Sequence, residues 1–427
     1  VLKYGTDPVD PDSDDDGLYD GDELTYGTDL LNNDTDGDGI LDGSEINVYY
    51  TNATNNDTDG DGLSDYEEVR GTYIPALNRT FWIDPLDDDT DDDGLSDGLE
   101  ARTYQTNPLE VDTDSDGLDD YQEIYTYATN PLLLDTDGDS LSDSDELMIY
   151  ATDPLDNDTD DDLLVDGAEI YGIEIEGIGI RSTDPKSNDT DGDELSDYDE
   201  VYIHNTDPTL RDSDSDGLDD SYEISGWSIS VTYPNGSKLV YTVSSNPRLY
   251  DSDGDGLGDY DENYLASDPT QNDTDNDGIS DLEEISMGTD ANCWDSDGDG
   301  LGDYEEVYLY MCSPLSTDTD GDRLSDYDEV VAYGTNPRDE DSDGDGLCDY
   351  DEIIAYKTSP LSNDTDKDNL TDYEEIHDFI TNPTSIDTDA DNLTDYEEVM
   401  GVSIAVIGVV KTDPRNPDSD GDMLSDY

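Results

Sequence analysis

Along this chain, single Leu or Ile residues stand isolated in acidic text and return at a nearly fixed interval, as at Leu95, Leu118, Leu141 and Leu164. Each opens a short run whose apolar residues lie three apart, as in Leu347, Tyr350, Ile353 and Tyr356. That spacing predicts one stripe on a helix of about two turns, too short to stand alone and obliged to pack on its loop or on the next unit. A Thr-Asn/Asp-Pro turn follows, and its proline is expected to end the helix. The residues before the next isolated Leu, of the form Pro-Leu-x-Asn-Asp, read as extended. Twelve of sixteen intervals are 22 or 23 residues, the mark of a quasi-one-dimensional array in which each unit buries its apolar face on its neighbours. The fold expected is an elongated tandem-repeat rod, one continuous array over 1–427.

Four intervals are longer and carry a different, strand-like pattern, alternating in three of them and less regular in Thr72 to Ile83. Each begins with Gly at the third residue after a Glu: Gly71, Gly172, Gly226 and Gly401. Small β-hairpin insertions are predicted near 71–83, 172–182, 226–245 and 401–411. The clearest is Trp227 to Tyr233, a turn at Asn235-Gly236, then Lys238 to Val243. Two readings stay open. Each hairpin folds back on its own array, or it docks on a neighbouring chain and builds filaments, with Ile229 and Val231 as contacts.

The isolated Leu or Ile is position 7 of a loop in which Asp occupies positions 1, 3, 5 and 9 and Glu position 12. Such spacing matches the calcium loop of an EF-hand. The first sets are Asp12, Asp14, Asp16, Asp20 and Glu23; Asp34, Asp36, Asp38, Asp42 and Glu45; Asp57, Asp59, Asp61, Asp65 and Glu68; Asp89, Asp91, Asp93, Asp97 and Glu100. Four more are Asp112, Asp114, Asp116, Asp120 and Glu123; Asp135, Asp137, Asp139, Asp143 and Glu146; Asp158, Asp160, Asp162, Asp166 and Glu169; Asp189, Asp191, Asp193, Asp197 and Glu200. Then come Asp212, Asp214, Asp216, Asp220 and Glu223; Asp251, Asp253, Asp255, Asp259 and Glu262; Asp273, Asp275, Asp277, Asp281 and Glu284; Asp295, Asp297, Asp299, Asp303 and Glu306. The last are Asp318, Asp320, Asp322, Asp326 and Glu329; Asp341, Asp343, Asp345, Asp349 and Glu352; Asp364, Asp366, Asp368, Asp372 and Glu375; Asp387, Asp389, Asp391, Asp395 and Glu398; and the Glu-less Asp418, Asp420, Asp422 and Asp426. Oxygen-only sets select a hard cation, so at least one Ca²⁺ per repeat is expected. With no entering helix, each unit is a half EF-hand, about seventeen in all. Position 6 holds Gly in ten loops; the others, Leu163 and Arg323 among them, place a side chain where positive φ is expected, which predicts weaker sites at Asp158 and Asp318.

Charge changes the picture from a loop inventory to a folding condition. The chain has 15 Lys and Arg against 120 Asp and Glu, a formal charge of −105. Leu, Ile, Val and Phe make up about a fifth of it, a composition that stays disordered when charge is this high. Cations must therefore supply the missing stabilisation, and nucleic acid or an anionic lipid surface is excluded as a partner. No apolar run is long enough to insert in a membrane. Tyr4 to Pro8 reads as the tail of a repeat and the last loop stops at Tyr427, so a longer natural array is expected.

The consensus Asp-Thr-Asp-Gly-Asp-Gly-Leu-Ser-Asp-x-Glu-Glu-Val, followed by Gly-Thr-Asp-Pro, resembles the bacterial-type thrombospondin type 3 repeat over essentially the whole chain. The resemblance implies a calcium-bound extracellular stalk or spacer. The dense cysteines of the thrombospondin relatives are missing, and the four insertions also depart from them.

Cys293 and Cys312 flank one repeat and are disulfide candidates, with Cys348 left over; His204 and His377 read as isolated surface residues. Asn-x-Ser/Thr sequons exceed chance, and Asn33, Asn52, Asn56, Asn78, Asn157, Asn188, Asn235, Asn272 and Asn363 are candidate glycan acceptors. Asn369 and Asn392 stand at position 6, where Asn replaces Gly at positive φ. No nucleophile with a base, and no phosphate cradle, stands out, so the chain is not expected to be an enzyme. The expected function is a calcium-rigidified extracellular structural protein, a subunit of a cell-surface or secreted fibre. The stalk of an adhesin or surface enzyme is the alternative, and a calcium buffer or sensor a lesser one.

Overall fold

The computed structural model describes residues 3–405 and 407–427. The chain divides into two compact units, Val1–Arg211 and Asp212–Tyr427. Both are built from the same repeat. A twelve-residue loop winds through two left-handed positions, 4 and 6, and hands over to a helix at position 9. Asp65–Arg70, Asp259–Leu265 and Asp281–Met287 are such helices. Ser64 at position 8 caps the first of them and completes a capping box with Glu67.

The helix departs from expectation at its end. In many repeats it opens into a wide final turn, in which the residue five beyond the position-12 Glu donates to that Glu's carbonyl: Tyr50 N–H to Glu45 O at 2.6 Å, Lys357 N–H to Glu352 O at 2.7 Å. The donor itself is left-handed, at φ 64° for Tyr50 and 67° for Lys357. Termination is therefore complete before the proline, which does not set it. The segment ahead of the loop is likewise a turn and not an extended strand. Asn32 N–H bonds Asp29 O at 2.9 Å, and Asp29 N–H reaches forward to Thr35 Oγ1 at 2.8 Å. Its backbone polar groups find partners locally instead of along a strand.

Among the described residues there are four two-stranded antiparallel sheets: β1 (Thr72–Ile74) with β2 (Arg79–Phe81), β3 (Ile173–Ile175) with β4 (Gly179–Arg181), β5 (Trp227–Thr232) with β6 (Lys238–Val243), and β7 (Val402–Ile404) with β8 (Gly408–Val410). Each lies within one of the four long intervals between loops. Val406, between β7 and β8, lies outside the described residues. Gly is needed at their entry because the hairpin crosses the helix end there. A Cβ on Gly226 (φ 74°) would lie 2.0 Å from Val243 O, and one on Gly172 2.4 Å from Ile180 Cγ2.

The hairpins with the largest cores fold back on their own unit. Leu63, Ile74, Phe81, Ile83 and Ala101 form one buried cluster; Leu218, Trp227, Ile229, Val231 and Val243 form another. Ile229 and Val231 are 1% and 0% exposed, so they are core residues and not contacts for a neighbouring chain. β5 is also held along its edge, where Thr232 N–H bonds Asn292 O at 2.7 Å and Trp294 N–H bonds Thr232 O at 3.2 Å. No helix among the described residues is long and apolar enough to cross a membrane.

Candidate metal centres

The loop starting at Asp57 shows how the carboxylates divide their work. Asp57 at position 1 accepts N–H bonds from Gly60 (2.7 Å) and Gly62 (3.1 Å), one to each oxygen, and so winds the loop around itself. Asp59 accepts from Asp61 N–H through Oδ1 at 3.2 Å. Asp61 accepts from Leu63 N–H through Oδ1 at 2.6 Å, which turns Leu63 inward. Asp65 at position 9 is fully buried and receives both the N–H (2.8 Å) and the hydroxyl (2.7 Å) of Thr58.

Position 9 is thus first a clamp on position 2, and only its remaining lone pairs face anything else. The same pair closes the other loops, for example Thr319 on Asp326 and Ser342 on Asp349. The hydroxyl is a functional residue that the ligand template overlooks. The signal was present, because position 2 is Ser or Thr in all seventeen loops.

Two oxygens are left over each time. In all sixteen loops that end in Glu, Oδ2 of the position-3 Asp and Oε2 of the position-12 Glu are buried without a hydrogen-bond partner. In eight loops the other Glu oxygen is occupied by the Thr six residues on, at 3.0 Å from Thr106 to Glu100 and 3.1 Å from Thr358 to Glu352. A buried carboxylate oxygen with no donor costs several kcal/mol unless a cation faces it. Burial, reinforced by the neighbouring loop carboxylates, pushes Asp59 up to about 6 and Glu68 up to about 9. Glu262 and Glu284 rise to about 10 for the same reasons. Carboxylates 1, 3 and 5 of a loop also approach one another closely enough to share one ion, as in Asp12, Asp14 and Asp16 or Asp57, Asp59 and Asp61. Orphaned hard oxygens, gathered and without a thiol or imidazole in almost every loop, fit calcium.

Position 5 has a second role that crosses the repeat boundary. Its Oδ2 accepts the N–H of position 10 in the following repeat: Asp38 from Tyr66 at 3.0 Å, Asp322 from Tyr350 at 2.8 Å, Asp345 from Tyr373 at 3.0 Å. In these repeats the loop therefore fixes the first helical turn of its successor. The Tyr at that position lies on the position-6 Gly of the preceding loop, where a Cβ on Gly346 would sit 3.2 Å from Tyr373 Cδ2.

Loops lacking Gly at position 6 keep the same winding. Leu163 has φ 86° and Arg323 φ 94°, and their N–H groups still bond Asp158 and Asp318 at 2.9 and 3.1 Å. Asn369 and Asn392 are left-handed as well, at 86° and 85°. The final loop differs, since none of Asp418, Asp420, Asp422 and Asp426 is buried.

The disulfide expected between Cys293 and Cys312 is not formed; all three cysteines are free. Cys293 Sγ faces Asp295 O at 3.2 Å, whereas Cys312 occupies the turn-Thr position against Glu306. Asn33, Asn52, Asn56, Asn78, Asn157, Asn188, Asn235, Asn272 and Asn363 are all exposed. In six of those sequons, however, the Thr is the position-2 clamp, as with Thr35 on Asp42 and Thr190 on Asp197. The loop itself accounts for that hydroxyl.

With this geometry in hand, the chain can be placed among known proteins. It is an array of calcium-loop repeats. Segments 12–31, 34–48, 57–70, 89–110, 135–157, 189–210, 251–272, 273–292, 295–309, 318–339 and 341–363 match the Bacterial TSP3 repeat, and the chain belongs to that family, a structural calcium-binding repeat. No curated protein matches it. Two solved structures share short stretches. One, "Biofilm associated protein - BSP domain", is 49% identical over 10% of this chain and 7% of that one, with a TM-score of 0.10. The other, "Biofilm associated protein - B domain", is 47% identical over 10% of this chain and 11% of that one, also with a TM-score of 0.10.

Proposed function

We propose that this chain is a structural segment of the cell exterior that calcium converts from a self-repelling polyanion into a stiff array. The observation that carries the reading is the recurring pair of orphaned oxygens, position-3 Oδ2 and position-12 Oε2. A calcium ion would be held by Asp at positions 1, 3 and 5, by the position-7 carbonyl and by the Glu at position 12, with the position-9 Asp securing the loop behind it. Calcium supplies the positive charge that lets these groups stay ionised while buried; the position-5 Asp carries the resulting order to the next repeat. Extracellular modules work at about 10⁻⁴ to 10⁻³ M calcium, so loops that must wind through left-handed non-glycine residues still fill outside the cell.

Circular dichroism and small-angle scattering with and without chelator test this. Helical signal should fall and the radius of gyration should rise sharply on chelation. An unchanged particle after complete calcium removal overturns the reading.

The finer form is a fibre subunit, with the stalk of an adhesin or surface enzyme as the competing one. The outer hairpin faces support the fibre. Val240 is 70% exposed and Val409 63%, on strands that already present an unpaired edge, and Ile407, in the turn before β8, is 68% exposed. Electron microscopy of calcium-loaded protein should show filaments that Val240→Lys and Val409→Lys shorten or remove. Single particles at high concentration would favour the stalk.

A further inference from the structure

One repeat breaks the oxygen-only rule. In eight repeats the side chain six residues after the position-12 Glu is Thr, and its hydroxyl bonds that Glu directly, as Thr335 bonds Glu329 at 3.2 Å. After Glu306 that residue is Cys312, whose Sγ lies 3.8 Å from Glu306 Oε1. A thiol is a poor donor, and it replaces a good one between two buried acids. Glu306 and Asp326 are 0% exposed and Cys312 7%. One ligand atom from each of the three lies within 4.8 Å of the others. Glu306 also keeps Oε2 without a hydrogen-bond partner.

We propose that Glu306, Cys312 and Asp326 form a site for a borderline-soft divalent cation such as zinc or cadmium, distinct in its chemistry from the calcium loops. Thiolate is a weak ligand for calcium and a strong one for these ions. A zinc-sized ion takes sulfur at about 2.3 Å and carboxylate oxygen at about 2.0–2.2 Å in tetrahedral array, which sets its donors about 3.4–3.6 Å apart. Cys312 Sγ and Glu306 Oε1, at 3.8 Å, are close to that already, and the third donor must draw in from within 4.8 Å. On binding, the Cys312 S–H proton leaves to solvent and a metal–sulfur bond forms; two carboxylates and one thiolate then outweigh the dication by a single negative charge, which a thiol kept as S–H could not do. Glu306 turns Oε1 toward the thiol, so one carboxylate serves both the end of the Asp295 loop and the new site. Cys293 and Cys348 differ in being only half-buried, and Cys293 Sγ faces a backbone carbonyl, that of Asp295.

The test is titration of the calcium-saturated full chain with cadmium, followed by the thiolate-to-cadmium charge-transfer absorption in the ultraviolet. The band should grow to one equivalent and be suppressed by zinc. Cys312→Ser, which restores the hydroxyl the other repeats use, should lose the band while keeping the calcium-dependent circular dichroism of the parent. Cys293→Ser and Cys348→Ser should keep it. The proposal falls if no band forms whichever of calcium and cadmium is added first, if Cys312→Ser retains it, or if Cys293→Ser abolishes it.

Discussion

Two stretches of the second unit solve the same problem by different means. The repeat at Asp212 carries β5 and β6 and buries Leu218, Trp227, Ile229, Val231 and Val243 together. Tyr222 stacks on Trp227 with rings 5.9 Å apart and 3° from parallel. The repeat at Asp318 has Leu324 as its buried loop hydrocarbon, beside the buried carboxylates Asp322, Asp326 and Glu329. The first is an ordinary small apolar core. The second has acids where a core should be, and while they are ionised that interior needs a cation to be favourable. Stability is therefore expected to be patchy by composition: ion-dependent through the plain repeats, and partly ion-independent where a hairpin was inserted.

The largest expected effect follows from removing the ions. Under chelator, amide hydrogen exchange should rise throughout 318–356, while β5 and β6 should retain the most protection. Equal loss in both places breaks the comparison. The pH dependence has a definite sign. Glu329 and Glu352 are pushed up to about 8 by burial and their loop neighbours, above the ordinary carboxyl value of an unfolded chain. Protonation therefore favours the ion-free fold, an effect full below the unfolded pKa and lost as pH rises through about 8. In chelator, helical circular dichroism should grow as pH is lowered from 8 toward 5. With limiting calcium, the same acidification should weaken calcium binding, because protons and calcium compete for Glu329.

A middle-sized effect should come from Ile229→Ala. The side chain is 1% exposed, and deletions of this kind cost about 2–5 kcal/mol. Chelator-resistant protection of 226–245 should vanish, while the plain repeats keep their calcium-dependent signal. The smallest effect is at position 6. Leu163 is 70% exposed and left-handed, a conformation costing roughly 1–2 kcal/mol for a residue with a Cβ. Leu163→Gly should tighten the Asp158 loop by about 1 kcal/mol, read as protection of that repeat at lower calcium.

Much of the site was legible in advance because metal ligation is written locally. The carboxylates at 3 and 12 that the structure leaves without partners are among those the spacing nominates, and the described strands lie in the four long intervals. Three things were not legible. Position 9 looks like any other ligand until Thr58 is seen to occupy both oxygens of Asp65. Ile229 and Val231 alternate in a way that suits an own core and a foreign surface equally, and only packing against Leu218 distinguishes them. The helix end was assigned to proline, whereas a left-handed residue and a wide turn onto the Glu carbonyl finish it first.

The sequence by itself determined the repeat, its cation chemistry and the impossibility of a conventional hydrophobic fold, because charge count and ligand spacing are properties of neighbours in the chain. Tertiary structure decided which carboxylates hold the loop and which are free for an ion, since that depends on where N–H and O–H donors arrive in space. It also decided how one repeat fixes the next, through an Asp and an amide about 28 residues apart, as with Asp345 and Tyr373.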